Sequence, residues 1–280
     1  MKKLISVVLT GVTVLAAVVV IQGCGVLGGP PSGVTVSAGP DESDSTVLVS
    51  WTVPSEGAAD KYVVYFRPAS DSGYTVVGET TAISFAHNPH GMTGQYKVSA
   101  VFGGDSYDGA DRPTTVPVQS EAVLFEINAD SSRCGFGWRR DSGVGGVFAM
   151  TESAGCASVD FYVSDLLAGT GGPLSIVSPN KADSIDSGAV GIVPRAAWRT
   201  NGFSNQVLAE TVPSYKAPPS ATYFIYTTLA TQPCRVGCYT AGDTVKHYAL
   251  IQVDSFNLSS GKVWMKSWYQ LVPGLRLVHH

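Results

Sequence analysis

The sequence predicts an all-β chain: an N-terminal β-sandwich followed by a second β-rich domain. Three observations point there. Apolar residues recur at every second position in short runs, the pattern of half-buried strands. The 280 residues include 31 glycines and 16 prolines but only 14% charged residues, a composition that suits short strands and turns. Beyond the first 23 residues no stretch sustains helical periodicity. The expected organisation is a leader over residues 1–23, a tether over 24–32, a first domain over 33–118 and a second over 119–280.

The leader opens with Met1-Lys2-Lys3 and then runs through apolar residues from Leu4 to Ile21, relieved only by Ser6, Gly11 and two threonines. A cationic start followed by an apolar stretch reads as a secretory signal peptide, removed from the mature chain. The competing reading is a retained transmembrane helix, since ~18 apolar residues just span a bilayer. The run ends in Ile21-Gln22-Gly23-Cys24. This resembles the bacterial lipobox, an aliphatic residue, a variable one, a small one and the acylated cysteine, with Gln22 a less common second residue. The resemblance implies cleavage before Cys24, a diacylglycerol thioether on its sulfur and a further fatty-acyl (palmitate-type) chain on its new amino group. Several acyl chains anchor stably where one is marginal, so the lipid bilayer is an expected partner. Gly25 follows, not the Asp that retains many lipoproteins at an inner membrane, which favours the outer membrane or cell surface.

Of the 18 basic residues, Lys2 and Lys3 leave with the leader, so the mature chain sets 16 against 22 acidic residues. There is no basic block, and nucleic acid is not an expected partner. Four cysteines remain besides Cys24: Cys134, Cys156, Cys234 and Cys238. An even number in an exported chain reads as disulfides. Cys134–Cys156 and Cys234–Cys238 are the first expectation, with all three connectivities open. A four-cysteine zinc site is the alternative, but only Cys234-Arg-Val-Gly-Cys238 has knuckle spacing.

After the Gly/Pro tether, alternation begins at Val34 and Val36. It continues through Val47, Val49 and Trp51, then Tyr62, Val64 and Phe66, then Tyr96, Val98 and Ala100. Turn-rich stretches separate these runs: Gly39-Pro40-Asp41, Pro54 to Ala59, Asp71-Ser72-Gly73 and Asn88 to Gly94. Strands at this spacing predict a sandwich of about ninety residues. Val47-Leu48-Val49-Ser50-Trp51 with Pro54, Lys61 to Pro68, and Tyr96 to Ala100 resemble strands B, C and F of fibronectin type III domains. The resemblance implies that Trp51 centres the core and that Tyr96 forms the tyrosine corner, although His90-Gly91-Met92 departs from the family's spacing before it. His87-Asn88-Pro89-His90 reads as a polar loop between strands E and F; two histidines alone make an incomplete metal set.

From Ser120 onward the runs are shorter: Ala122–Ile127, Gly146–Met150, Ser158–Val163, Leu174–Val177 and Ala221–Thr228, with long loops over Ser178 to Gly191 and Asn201 to Ser220. Gly143-Val144-Gly145-Gly146 reads as a turn. The best-defined unit is a terminal hairpin. His247 to Val253 alternates, Asn257 to Lys262 has turn chemistry, and Val263 to Gln270 alternates again. Its inner face is expected to hold Ala249, Ile251, Val253, Val263, Met265 and Tyr269. Tyr-Ala-x-Ile-x-Val, a glycine turn, Val-x-Met-x-x-x-Tyr-Gln and Gly274 resemble the end of a group of β-rich bacterial lipoproteins that includes the haem-binding HmuY-like proteins. The resemblance implies fold, not ligand: no histidine here maps onto a haem-iron position, His247 opens a strand, and His279-His280 is a frayed end.

No nucleophile elbow, His-Glu-x-x-His, phosphate loop or dinucleotide fingerprint is present. Trp264 and Trp268 share a strand face opposite the inferred core and form the aromatic pair expected as a ligand surface, as for a sugar, unless a second layer buries them. The reading is a non-enzymatic, membrane-anchored extracytoplasmic lipoprotein serving as a binding or structural and adhesion module for a protein, glycan or small ligand, with no cofactor and no metal site. The alternatives are a haem- or metal-capturing lipoprotein and a hydrolase with its site in the loops of the second domain.

Overall fold

The computed structural model describes residues 28–39, 46–152, 158–165, 173–179, 200–204, 226–229, 234–241 and 246–278. The leader, Cys24, Cys156 and His279-His280 lie outside them, as do most of the two long loops. Among the described residues no helix is long and apolar enough to cross a membrane.

Seven strands build the first unit: β1 (Ser32–Ala38), β2 (Val47–Thr52), β3 (Lys61–Pro68), β4 (Thr75–Thr80), β5 (Ser84–His87), β6 (Gly94–Phe102) and β7 (Asp105–Asp108). They form two antiparallel sheets, ordered β1-β2-β5 and β4-β3-β6-β7. This three-plus-four strand order makes the unit a fibronectin type III-like sandwich. Period-two alternation decides what is inside. Val47, Val49 and Trp51 from one sheet meet Tyr62, Val64, Phe66, Tyr96, Val98 and Ala100 from the other, all buried in one cluster. Trp51 packs on Tyr62 with ring centroids 5.2 Å apart.

Tyr96 is fully buried, and its hydroxyl lies 2.9 Å from His87 Nδ1. The corner implied by the family resemblance is thus tied to a side chain at the end of β5, and His87 is committed to the core edge. Burial, and then the neighbouring His90, push the His87 imidazole below its usual pKa, while burial raises the Tyr96 phenol. The unfolded chain therefore takes up the His87 proton first. This contribution to stability is complete above about pH 6.5 and is lost as pH falls below it. Denaturant midpoints of the wild type are expected to drop between pH 7 and pH 5, and His87→Gln to flatten that drop.

Among the described residues ten strands make the second unit: β8 (Val118–Phe125), β9 (Gly135–Trp138), β10 (Gly145–Phe148), β11 (Phe161–Ser164), β12 (Ser175–Val177), β13 (Thr200–Ser204), β14 (Tyr226–Thr228), β15 (Cys234–Ala241), β16 (Tyr248–Asn257) and β17 (Lys262–Tyr269). Their two sheets run β10-β9-β11-β12-β14 and β13-β15-β16-β17-β8. Phe136, Phe161, Val163 and Ile176 of the first face Ile251, Val253, Val263, Met265 and Tyr269 of the second across a common core. The sheets also meet at one edge, where Gly145 N–H of β10 donates to Ser120 Oγ of β8 at 2.8 Å.

The hairpin β16–β17 has the predicted inner face, with Ala249, Ile251, Val253, Val263, Met265 and Tyr269 all in the core. Its turn reverses at Gly261, whose φ of 64° places it in the left-handed region. Gly145 and Gly146 are not turn residues; they open β10 and pair with Trp138 and Gly137.

The cysteines depart from expectation. Cys134 and Cys238 are free, buried thiols. Cys234 and Cys238 sit on the single strand β15, where four residues at ~3.3 Å each hold their Cα atoms about 13 Å apart. A disulfide needs less than about 7 Å, so that pairing is excluded. Burial pushes the Cys134 thiol up to about 12 and raises that of Cys238 as well. Neither supplies thiolate at neutral pH. Alkylation at pH 8 is expected to spare both in the native chain and label both in denaturant; native labelling of either would contradict the assignment.

The C-terminal segment was expected to belong wholly to the second domain. Instead, Val272, Leu275 and Leu277 are buried in the core of the first sandwich.

Candidate functional site

Where β9 turns into β10, a groove of about 560 Å³ opens, lined by Trp138, Arg139, Arg140, Asp141, Val144, Gly145, Gly146, Phe148 and Ser158. That is within the range of small-ligand sites. Its wall is rigid for an identifiable reason. Asp160, completely buried, accepts the Arg140 guanidinium through both oxygens, at 2.9 and 2.6 Å. The same carboxylate accepts Trp138 N–H at 2.9 Å, and Arg140 also donates to the Trp138 carbonyl. A bidentate pair of this kind, its carboxylate fully buried and its guanidinium partly open to the groove, fixes orientation as well as charge.

Behind the wall lies an aromatic column. Trp138 stacks on Tyr269 with centroids 5.3 Å apart, and Tyr269 stacks on His247 at 5.4 Å and 13°. The indole N–H of Trp138 donates to Ser267 Oγ at 3.1 Å, joining the two sheets. His247 Nδ1 lies 3.1 Å from the Gln270 carbonyl. The imidazole is therefore part of the packing, as is that of His87. Among the described residues no group of three metal-ligating side chains comes together.

The groove mouth carries opposite charges on exposed side chains, Arg139 and Asp141, beside exposed Val144. Gly146 leaves its β10 side open, whereas Gly145 packs against the Phe136 ring. A Cβ on Gly146 would meet only the Phe148 ring, at 3.4 Å, ordinary contact distance. The groove can therefore be filled by substitution without disturbing the core.

The tryptophan pair expected as a ligand surface does not form one. Trp268 is 4% exposed; the face that it shares with Trp264 is open at one end and covered at the other. Trp264 is half-buried in a shallow hollow of about 310 Å³ with Glu121, Val123, Asp254 and Lys266, and Lys262 Nζ sits 4.5 Å from its ring. The groove residues Arg139, Arg140, Phe148 and Asp160 were not anticipated. The signal available was Trp138-Arg139-Arg140-Asp141 directly before a glycine turn, a cluster of recognition-type side chains at a loop.

No protein-family description matches the chain, and no curated protein matches it. Among solved structures, it is similar to a fibronectin type III-like protein from Clostridium thermocellum, at 24% identity over 30% of this chain and 88% of the other, with a TM-score of 0.27. It is also similar to a DUF4466 family protein from Parabacteroides merdae, at 9% identity over 80% of this chain and 91% of the other, with a TM-score of 0.38.

Proposed function

We propose that this chain is a lipid-anchored, extracytoplasmic binding module. Its first sandwich serves as the spacer and the groove beside Trp138 as the ligand site. The observation that carries the reading is the groove itself, an open, ligand-sized cleft held by the pair of Arg140 with the buried Asp160 and left accessible by Gly146 on β10. Its mixed rim of Arg139 and Asp141 suits a polar ligand without large net charge, such as a neutral glycan, with Phe148 as an apolar contact. Anchoring is supported by the lipobox-like Ile21-Gln22-Gly23-Cys24, which ends eight residues before β1.

The test is a screen of the full chain in detergent against neutral oligosaccharides and small polar ligands, repeated with Gly146→Leu. A ligand bound by the wild type and lost on filling the groove supports the assignment. A ligand bound equally by both variants removes the groove from the function.

A further inference from the structure

The first sandwich carries a cluster that the groove does not explain. On the outer face of its four-stranded sheet, Tyr65 pairs with Lys97 and Arg67 with Gln95 across β3 and β6. Three cations gather round the ring of Tyr74: Arg67 at 5.1 Å, Lys97 at 5.6 Å and Arg112 at 6.0 Å from its centroid. Lys97 also lies over Tyr65, at 4.3 Å. The faces of the rings offset part of the cost of crowding like charges.

Neutral groups hold the two arginines in place. Arg67 donates to Gln95 Oε1 at 2.8 Å, the same oxygen that accepts the Tyr74 hydroxyl at 2.6 Å. Arg112 donates to the carbonyls of Gly109 and Asp111. Among the described residues neither meets a carboxylate within ion-pair distance, and each keeps N–H donors unused. Of the nearby acids, Asp108 pairs with Lys97 at 2.8 Å and accepts Ser99. Asp111 accepts Val34 N–H on the opposite sheet, and Asp71 closes the β3–β4 turn through Ser72 and Gly73. Two fixed guanidinium groups therefore stand on this face with donors to spare, although Arg112 shares the field of Asp108 with Lys97. Fixed, unused N–H donors of this kind suit an anion that can accept from both.

We infer that this face binds a polymer of acidic sugars through paired carboxylates, Arg67 and Arg112 each taking one with its planar fork. Two separate guanidinium groups favour a polymer with repeated carboxylates over a single small anion. Composition favours a sugar over a peptide, because Val76 is the one exposed large apolar side chain of this sheet among the described residues. Position argues against the anchoring membrane. The tether enters near the start of β3, where Gly28 faces Tyr107 and Phe102. The cluster lies at the other end of that eight-residue strand, about 20 Å away.

The experiment is titration of the full chain in detergent with oligogalacturonate, with polyglutamate and polyphosphate of matched charge in parallel. Oligogalacturonate is expected to bind best, and more weakly as salt rises. Arg67→Gln with Arg112→Gln is expected to weaken it by about tenfold or more, Arg67→Gln alone by less, and Gly146→Leu to leave it unchanged. No binding, equal binding by the double variant, or equal or tighter binding of polyglutamate or polyphosphate would overturn the inference. The Gly146→Leu arm separates this site from the groove.

Discussion

Leu277→Ala is expected to destabilise the first sandwich by about 2–5 kcal/mol, although the residue lies more than 150 positions beyond that sandwich in sequence. Leu275 and Leu277 are 0% and 1% exposed and belong to the same core as Trp51 and Tyr96. Between them, Arg276 turns the other way, its guanidinium 5.3 Å from the Tyr248 ring of the second unit. Gln270 fastens the base of the segment. Its amide donates to the carbonyls of Thr115 and Leu277, and its Oε1 accepts Val272 N–H at 3.0 Å. The tail is a strap with one face on each unit. Hydrogen exchange of Leu277→Ala is expected to show lost protection in β1, β2 and β6. Unchanged protection there would mean that the contact carries no stability.

Asp160→Ala is the second large effect, with an expected loss of about 2–3 kcal/mol in the second unit, because it takes a fully buried carboxylate from the partly exposed Arg140 and leaves Trp138 N–H without its acceptor. The pair itself need not be net stabilising. Replacing both partners with apolar residues, Arg140→Met with Asp160→Leu, is expected to recover the part of the loss that comes from the unpaired charge, with Trp138 N–H still lacking this acceptor, while abolishing the geometry of the groove. A double-mutant cycle followed by denaturant unfolding measures this. If the double variant is as unstable as Asp160→Ala, packing at the site, and not the unpaired charge, is responsible.

These two predictions also mark where the sequence was legible and where it was not. Strands β2, β3 and β6 and the hairpin β16–β17 each keep one face in a core while parts of the other face stay open, so alternation exposed them and named their core residues. The strands β9, β11 and β12 are buried on both faces and only three or four residues long, which leaves little alternation to read. In β9 two of the four residues are glycine. β15 was read for its cysteine spacing, yet its pairing with β16 makes that spacing incompatible with a local disulfide. Trp268 obeys the period-two rule, but periodicity says which face a residue occupies and not whether another layer covers that face. The strap and the Arg140–Asp160 pair join residues distant in sequence, and no local pattern encodes them. The groove was half visible, as an aromatic and charged run before a glycine turn.

The proposal that the chain works outside the cytoplasm rests on one residue, Cys24, and one measurement addresses it directly. Mass spectrometry of the protein extracted from membranes is expected to find an N-terminal Cys24 carrying a diacylglycerol and a further acyl chain, with residues 1–23 absent. Cys24→Ala should abolish the modification. A wild-type chain that retains its leader, or begins at an unmodified residue and fractionates without the membrane, would contradict the anchored module proposed for this protein.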